Sequence, residues 1–372
     1  MQLTVTAKIK INPTSAQIIL LQGTLNAYRK GCNFVSDIIF NTKELSQSKL
    51  QKIAYNDLRS NFSLRSQMSQ SVMKTVIARY KTLKSNKHDW TKIQFKKPEY
   101  DLVWNRDYLL TKGIFSINTL DGRIKVPFDI KGMERYFDNS WTFGTAKLVH
   151  KYGKFFLHIP MSKEIDMVSD YDINSIVGVD LGINFIAVTY DSKGKSIFFN
   201  GRKIKAKRSY YKYLRKQLQQ KGTASSRRRL KRIGQRENRW MHDVNHQVSK
   251  ALVNQYGANT LFAIEDLAGI RNATERVRVK DRYETVSWSF YQLRQMLEYK
   301  VLLNNSKVIA VNPKYTSQTC PKCGHTERSN RNKKAHIFCC RNCGYKSNDD
   351  RIGAMNLQRK GIEYIVEVLI GV

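Results

Sequence analysis

The spacing of apolar residues changes along the chain, and each change predicts a different kind of structure. Residues 3–11 alternate between apolar and polar side chains, which predicts a β-strand. From Asn12 to about residue 90, apolar residues instead recur every three or four positions, as they do in amphipathic helices. Two stripes result: Ile18, Leu21, Leu25, Tyr28, Cys32, Val35 and Ile39, and then Leu64, Met68, Val72, Val76, Tyr80 and Leu83. We expect a small helical bundle with Cys32 in its core.

From about Phe95 the period of apolar residues becomes two. Ile124, Val126 and Phe128 alternate with polar residues or proline after a turn signal at Asp121-Gly122. Residues 148–159 read as a hairpin around Tyr152-Gly153. This pattern predicts an antiparallel β-domain, in the form of a small barrel. The strand at 3–11 is expected to belong to it, with the helices as an insertion.

From Asn174 the pattern becomes mixed α/β, and acidic residues stand at the ends of its elements. Strands are expected at 176–180, 185–190, 195–199, 259–264 and 307–311, with a long helical region after the third strand. Asp180 ends the first strand, Glu265 follows the fourth, and Asp350 opens a later helix. This order is that of the ribonuclease-H-like fold, in which strand 4 lies beside strand 1. The first two acids should therefore lie on adjacent strands.

Three carboxylates on separate elements of a basic chain suit metal-dependent phosphodiester chemistry. Such sites hold two Mg²⁺ ions roughly 3.5 to 4 Å apart. Each acid taken alone could equally be a helix cap, a surface ion pair or a solvated turn residue. Asp349 beside Asp350 and Asp266 beside Glu265 leave the choice of ligand open at two positions.

The charge of the chain indicates a polyanionic partner. The 372 residues include 65 Lys and Arg against 30 Asp and Glu, a net charge of +35, which suits nucleic acid. Between residues 201 and 239 there are sixteen basic residues and one acid, Glu237, with three tyrosines interleaved. We expect a nucleic-acid-facing helix there, with contacts from Arg202, Lys203, Lys205, Lys207, Arg208, Arg227, Arg228, Arg229, Lys231 and Arg232. A basic ribosomal or architectural protein is the simpler alternative.

The cysteines predict a structural metal site in a reducing compartment. Five of the six cysteines lie between residues 320 and 343. Cys320 and Cys323 form one C-x₂-C pair, and Cys340 and Cys343 form a second, which suits a tetrahedral structural Zn²⁺. An iron–sulfur or redox site is the alternative, and Cys339 or His336 could replace one of the four ligands.

Two further features of the sequence argue against a catalytic zinc site and against a membrane location. His242 and His246 resemble a zincin helix, but Asp243 stands where the zincin base Glu is required, so catalytic zinc is not expected there. No apolar run is long enough to span a membrane and the first residues lack a signal-peptide pattern, so we expect a soluble, cytoplasmic or nucleoid-associated protein without a membrane partner.

Several motifs, in order, resemble those of TnpB, the OrfB-type proteins of bacterial insertion sequences and ancestors of compact type V CRISPR effectors. The resemblance is densest over residues 174–360. The motifs are Gly178-Val-Asp-Leu-Gly182, Ala263-Ile-Glu-Asp-Leu267, Trp288-Ser-Phe290, Leu297-Glu-Tyr-Lys300, Tyr315-Thr-Ser-Gln318 and Asp350-Arg-Ile-Gly-Ala-Met-Asn-Leu357. One departure is Arg351-Ile-Gly-Ala after the third acid, where many relatives have Val-Asn-Ala-Ala; the acid itself is retained.

The resemblance implies an RNA-guided, Mg²⁺-dependent endonuclease that cuts double-stranded DNA beside a short motif through one RuvC-like site. The guide RNA would derive from the transposon end. Asp180, Glu265 and Asp350 would be the catalytic residues and hold two Mg²⁺ ions, and Cys320, Cys323, Cys340 and Cys343 would hold one structural Zn²⁺. A bacterial cytoplasmic protein near the nucleoid, monomeric or a loose dimer, is expected.

The resemblance also implies a division into domains. A wedge-type β-barrel would comprise 1–11 and 91–168, with a helical recognition lobe at 12–90. A RuvC-like nuclease domain would comprise 169–316 and 347–372, with a zinc finger that binds target nucleic acid at 317–346. Three alternative functions stay open: an RNA-guided repressor that does not cleave, a guide-independent resolvase or transposase, and a zinc-ribbon binding protein without chemistry.

Overall fold

The computed structural model describes residues 1–111, 113–266 and 290–371. The chain divides into two compact units. The N-terminal unit is Gln2–Glu164, and the C-terminal unit is Met1 together with Ile165–Val372. Within the described residues, no helix combines the length and apolar character that crossing a membrane requires.

The N-terminal unit combines three helices with an antiparallel sheet. Its elements are β1 (Gln2–Ile11), α1 (Ser15–Thr42), α2 (Gln47–Ser60), α3 (Ser66–Ser85), β2 (Glu99–Leu102), β3 (Tyr108–Thr111), β4 (Ile114–Thr119), β5 (Gly122–Asp129), β6 (Thr142–Phe143), β7 (Ala146–Lys151) and β8 (Lys154–Glu164).

The helices of this unit begin and pack as their sequence indicates. Thr14 caps α1 by accepting a hydrogen bond from the Gln17 backbone N–H, and the Gln17 side chain accepts one from the Thr14 backbone N–H. Both predicted apolar stripes are buried except at Ile18 and Leu83, and Cys32 lies in the core as expected. The sequence analysis did not anticipate α2, whose buried face consists only of Leu50, Ala54 and Leu58.

The sheet of this unit confirms the predicted antiparallel β-domain. Its strands follow the order β2-β7-β8-β1-β5-β4-β3, with β6 paired to β8. The N-terminal strand β1 pairs with β8 from Gln2↔Glu164 to Ile11↔Phe155, so the three helices are an insertion into the sheet. Tyr152 and Gly153 both have positive φ, at 53° and 71°, as a two-residue I′ hairpin turn requires. Closure into a barrel stays a prediction.

The C-terminal unit is mixed α/β. Its elements are β9 (Ser175–Asp180), β10 (Phe185–Tyr190), β11 (Ser196–Asn200), α4 (Arg202–Lys221), α5 (Ala224–Tyr256), β12 (Thr260–Glu265), α6 (Phe290–Leu303), β13 (Lys307–Val311), β14 (Arg331–Asn332), β15 (Ile337–Cys339), β16 (Lys346–Asn348) and α7 (Asp349–Ile370). Strands β14, β15 and β16 form a separate antiparallel sheet, which we call the ribbon.

The main sheet of this unit has the expected strand order, β11-β10-β9-β12-β13. Strands β9, β10 and β11 are antiparallel, whereas β12 runs parallel to β9 and β13 runs parallel to β12. Ile264 is paired with Val179 in the parallel register. The next residues, Asp180 and Glu265, therefore lie side by side at the carboxyl ends of adjacent strands, as predicted.

The two faces of this sheet are covered differently. Val177, Val179, Phe262 and Ile264 are buried in one core cluster with residues of α5 and α6. Because side chains alternate across a strand, Gly178 points to the opposite face, where α7 lies. A Cβ atom at Gly178 would stand 2.0 Å from the Ala354 carbonyl oxygen, so only glycine allows α7 to pack this closely on β9.

Candidate active site and metal centre

Asp180 and Glu265 approach the same cleft from neighbouring strands. Asp180 is the last residue of β9 and Glu265 the last residue of β12. Both residues are partly exposed at the sheet edge. The Thr316 hydroxyl donates a hydrogen bond of 2.7 Å to Glu265 Oε1 and so fixes the direction of that carboxylate.

The third acid reaches the cleft through the start of α7. Asp350 lies in the first helical turn, where the Asn348 side chain caps the helix by accepting from the N–H groups of Asp350 and Arg351, each at 3.1 Å. A Cβ atom at Gly353 would lie 3.0 Å from Asp180 Cγ, so this glycine lets α7 pack directly against that carboxyl group. The helix N-terminus also favours the negative charge of Asp350.

These side chains line one cleft of about 420 Å³. Its lining comprises Asp180, Leu181, Gly182, Ile183, Asn184, Glu265, Phe290, Pro313, Thr316, Ser317, Arg331, His336 and Asp350. All three acids that the sequence analysis selected thus lie in one place. Leu267, Trp288 and Ser289 of the motifs quoted above lie outside the described residues.

The neighbouring acids Asp349 and Asp350 have different surroundings. Asp349 is 0% exposed, and its Oδ2 accepts a hydrogen bond of 2.8 Å from Arg331 Nε. Asp350 is 8% exposed and lines the cleft, while Arg331 Nη2 stays 3.6 Å from its Oδ1. Asp350 is therefore the better placed of the two to act on a molecule in the cleft, and its catalytic role stays a prediction.

The electrostatics of the cleft favour a bound cation. Loss of solvation, followed by repulsion from Glu265 and Asp350, raises the pKa of Asp180 well above its usual value. Loss of solvation also raises the pKa of Glu265, although the hydrogen bond from Thr316 opposes this. The pKa of Asp350 is raised by loss of solvation and then by Asp349. A divalent cation would relieve the repulsion among these groups, so the donor set fits Mg²⁺, which prefers oxygen ligands.

Four residues that line this cleft, Thr316, Arg331, His336 and Asn184, were not among the predicted site residues. Thr316 orients Glu265, and Arg331 binds Asp349. His336 was considered only as a possible zinc ligand, but its Nε2 lies 2.7 Å from Asn184 Nδ2 at the cleft. Two signals in the sequence pointed to three of them: Arg331 and His336 lie between the two cysteine pairs, close to the third acid along the chain, and Thr316 belongs to the Tyr315-Thr-Ser-Gln318 motif.

The four predicted zinc ligands converge at one point, two of them from the segment before the ribbon and two from the turn between β15 and β16. The Sγ atoms of Cys320, Cys323, Cys340 and Cys343 all lie within 4.8 Å of one another. The distance is 3.7 Å between Cys320 and Cys343 and 3.5 Å between Cys323 and Cys340. Sulfurs on a tetrahedral Zn²⁺ with bonds of about 2.3 Å are about 3.8 Å apart, whereas a disulfide requires about 2.05 Å. The cluster therefore fits a zinc site, and it includes neither Cys339 nor His336.

The basic region forms the two helices α4 and α5. Most of the predicted nucleic-acid contacts are exposed: Arg202, Lys203, Lys207, Arg227, Arg228, Arg229, Lys231 and Arg232, while Lys205 is partly exposed. Arg208 is also among the predicted contacts, but in the structure it is buried. Its side chain is 3% exposed, and its Nε lies 3.8 Å from Glu237 Oε1. Glu237 also pairs with Arg215, so Arg208 holds α4 against α5.

Comparison with known proteins gives two matching family models. One, OrfB_IS605, described as a probable transposase, matches residues 158–275, and the Cas12f1-like TNB domain matches residues 290–357. A TnpB-like protein of Methanocaldococcus jannaschii is 26% identical over 64% of this chain and 86% of its own length. The predicted resemblance to TnpB is confirmed.

Other proteins similar to this chain carry names of nucleases. The Cas12f1 endodeoxyribonuclease of Sulfoacidibacillus thermotolerans is 28% identical over 63% of the chain and 57% of the relative. The putative RNA-guided DNA endonuclease InsQ of Escherichia coli is 28% identical over 62% of the chain and 60% of the relative. The chain thus spans less than two thirds of either protein.

Solved structures show the same overall fold. A Cas12f1 protein, determined in complex with sgRNA and target DNA, matches with a TM-score of 0.59 and 15% identity, over 92% of this chain and 82% of the other. The mini-RNA-guided endonuclease CRISPR-Cas_phi3 matches with a TM-score of 0.58 and 11% identity, over 96% and 92% of the two chains. This chain therefore shares the fold of these two proteins.

Proposed function

We propose that this protein is an RNA-guided DNA endonuclease that cleaves double-stranded DNA next to a short motif. The observation that carries the proposal is the meeting of Asp180, Glu265 and Asp350 in one cleft beside a ribbon whose cysteines fit a zinc site. The names of the relatives support the same activity. A guide RNA from the transposon end and target duplex DNA are the proposed partners, with the protein monomeric or loosely dimeric.

The proposed domain division follows the family resemblance. Residues 169–316 and 347–372 would form a RuvC-like nuclease domain of the ribonuclease-H-like fold, with the zinc finger inserted at 317–346. The parallel placement of β12 beside the antiparallel β9, β10 and β11 supports this assignment. Residues 1–11 and 91–168 would form the wedge barrel around a recognition lobe at 12–90, which agrees with the helical insertion after β1.

In the proposed mechanism, the acids hold the catalytic ions and the surrounding side chains hold the acids. Two Mg²⁺ ions bound there would activate a water and stabilise the leaving oxygen. Asp180, Glu265 and Asp350 are the residues that would hold these ions. Thr316 fixes Glu265, and the Asn348 cap fixes the helix start that carries Asp350. Arg331 binds Asp349 and so leaves Asp350 as the acid that faces the cleft.

The exposed basic residues of α4 and α5 would bind phosphates without reading sequence. Sequence selection would come from guide pairing, while the protein recognises heteroduplex shape and the adjacent motif. A strand must be unpaired before it enters the cleft, and exposed aromatic side chains such as Tyr210 and Tyr213 could stack its bases.

Cleavage by purified protein loaded with its own RNA tests the proposal. Wild type should cut a matched duplex in Mg²⁺, whereas Asp180→Ala, Glu265→Ala and Asp350→Ala should each lose about 10³-fold or more in rate and still bind the duplex, because several kcal/mol of metal-assisted stabilisation are removed. Asp349→Ala is the control for the third catalytic acid. If Asp350→Ala retained near-normal activity, Asp349 would be the third catalytic acid instead.

The alternative functions predict other results in the same assay. A repressor would bind the matched duplex with its guide and leave it uncut. A resolvase or transposase would cut branched or transposon-end DNA without RNA. A zinc-ribbon binding protein without chemistry would show no measurable effect of Asp180→Ala.

A further inference from the structure

We propose that His336, Asp349 and Asp350 form a cation site with one imidazole and two carboxylate ligands, which takes a first-row transition ion such as Mn²⁺. One ligand atom from each of these side chains lies within 4.8 Å of the others. The inference rests on the proposed function only in that Asp350 is shared with the three proposed catalytic acids; cation binding itself can be measured without cleavage.

The buried side chain of Asp349 has an oxygen atom without a hydrogen-bond partner among the described residues. Asp349 is 0% exposed, and this atom is its Oδ1. A buried carboxylate oxygen without a partner costs free energy, which a bound cation would recover. The other oxygen, Oδ2, accepts from Arg331 Nε at 2.8 Å, and this bond holds Oδ1 in the direction of His336.

The imidazole of His336 faces this carboxylate oxygen. His336 Nδ1 lies 3.5 Å from Asp349 Oδ1 and also lacks a hydrogen-bond partner within the described ranges. Two ligand atoms that each stand about 2.1 Å from one ion are separated by roughly 3.0 to 3.4 Å, close to the observed distance. The other ring nitrogen, Nε2, lies 2.7 Å from the Asn184 side-chain amide. With Nδ1 bound to an ion, Nε2 carries the ring proton, so the amide would turn by about 180° and present Oδ1 to accept a hydrogen bond from Nε2–H, which orients a metal-binding histidine.

The surroundings of these side chains are rich in negative charge. Four carboxylates, those of Asp180, Glu265, Asp349 and Asp350, lie close together, and the cations that act on them are Arg331 and, at Glu265, also Lys360. An uncompensated negative charge therefore remains for a divalent ion even with both cations in place. The imidazole nitrogen distinguishes this position from an all-oxygen site and favours a transition ion over Mg²⁺. His336 is 40% exposed at its side chain, which leaves a route of entry from the cleft.

Electron spin-echo envelope modulation of Mn²⁺ bound to the zinc-loaded full chain tests the proposal, because coupling to an imidazole nitrogen reports direct ligation. Wild type should show this coupling, and His336→Asn should lose it and weaken Mn²⁺ binding about tenfold or more. Asparagine is chosen because His336 has φ of 55°, a conformation that asparagine tolerates. Retained zinc content and an unchanged circular dichroism spectrum would show that the variant is folded.

Two control variants make the result specific. His325→Asn changes an exposed histidine of the same zinc-binding segment, which pairs with Glu327, and should leave the nitrogen coupling intact. The double variant His242→Gln, His246→Gln should also leave it intact, although these rings are 4.5 Å apart on α5. Absence of coupling in wild type, its persistence in His336→Asn, or its loss in either control would overturn the proposal. Failure to cleave guided DNA with the coupling present would instead reject the proposed function alone.

Discussion

At the residue scale, the position of Asp180 favours cation binding but lowers the stability of the fold when no ion is bound. Its pKa is raised first by loss of solvation and then by two neighbouring carboxylates. A carboxyl group whose pKa is higher in the folded than in the unfolded chain favours folding when it is protonated. Its contribution is therefore lost as pH rises from about 4, the unfolded value, towards the raised folded value.

Asp180→Asn should accordingly raise the melting temperature of Mg²⁺-free, zinc-loaded protein while cleavage is lost. The gain should be largest at neutral or higher pH and should vanish below about pH 4, where the carboxyl group is protonated in both states. Asp170→Asn is the matched control, because Asp170 pairs with Lys307 at 2.7 Å and its loss should lower the melting temperature. Equal destabilisation by both substitutions would contradict this account of the cleft.

Arg208 shows why charge in the sequence did not identify every contact surface. Its sequence neighbours Lys207 and Ser209 are exposed, whereas Arg208 itself points towards Glu237 on the next helix. Because the segment 201–239 contains sixteen basic residues, the sequence does not show which of them lie on the exposed face of a helix and which on the buried face. A single buried acid, Glu237, was the one sign that some of these cations have a partner inside the fold.

At the element scale, three glycines determine how α7 lies on the sheet. Gly178 meets the backbone of α7, Gly353 meets Asp180, and Gly361 meets Ile176, where a Cβ atom would stand 2.8 Å from Cγ2. Gly178→Ala should therefore push α7 away from β9, lower stability by about 1–3 kcal/mol or more, and separate Asp350 from Asp180. Chemical denaturation and the cleavage rate both report the effect.

Gly234→Ala is the control for that experiment. Gly234 lies inside α5, and a Cβ atom there would meet nothing within 4 Å. Alanine has the higher helix propensity, so this variant should be neutral or more stable by up to about 1 kcal/mol. If the two substitutions had similar effects, close packing at Gly178 would not be what positions α7.

The ribbon is the second element that bears on the site. Cys343→Ser should lower the zinc content from one ion per chain towards none and reduce cleavage about tenfold or more, because Arg331 and His336 line the cleft from the same segment. Cys339→Ser should retain the zinc, since Cys339 lies outside the four-cysteine cluster. Metal content by mass spectrometry decides between the two; full zinc occupancy in Cys343→Ser would show that the ligand set is wrong.

The sequence predicts a helix, strand or turn correctly where a local pattern of apolar or turn residues determines it. Strands β9, β10 and β12, the turn at Tyr152-Gly153 and the acids at strand ends were all expected. It did not anticipate α2, because three apolar residues spaced by four give a weak periodic signal. Nor could it place His336 in the cleft, since that position depends on how the ribbon folds back beside α7, a contact that no local periodicity encodes.

At the scale of the whole molecule, the exposed cations of α4 and α5 predict salt-dependent binding of nucleic acid. Replacing Arg227, Arg228 and Arg229 together by alanine should weaken duplex binding and flatten the dependence of log Kd on log salt by up to about 0.9 per lost phosphate contact. Fluorescence anisotropy across a salt series measures this slope.

Arg208→Ala should behave in the opposite manner. Breaking a buried ion pair should lower stability by about 3 kcal/mol and leave the salt slope unchanged. A reduced slope for Arg208→Ala, or an unchanged slope for the triple variant, would mean that nucleic acid binds to another surface. The net charge of +35 attracts nucleic acid over a long range. The triple variant and Arg208→Ala together show which surface of α4 and α5 the nucleic acid contacts.

The packing of α7 against β9 also has a consequence for biosynthesis. The ribosome completes β9 long before it reaches Asp349–Ile370, so one face of the sheet has no cover while the intervening segments emerge. The parallel pairing of β9 with β12 adds further contacts between distant parts of the chain, which slows folding and prolongs exposure of apolar surface. A nascent chain cannot assemble its three acids until α7 has docked, and cleavage activity should therefore appear only after translation has passed this helix.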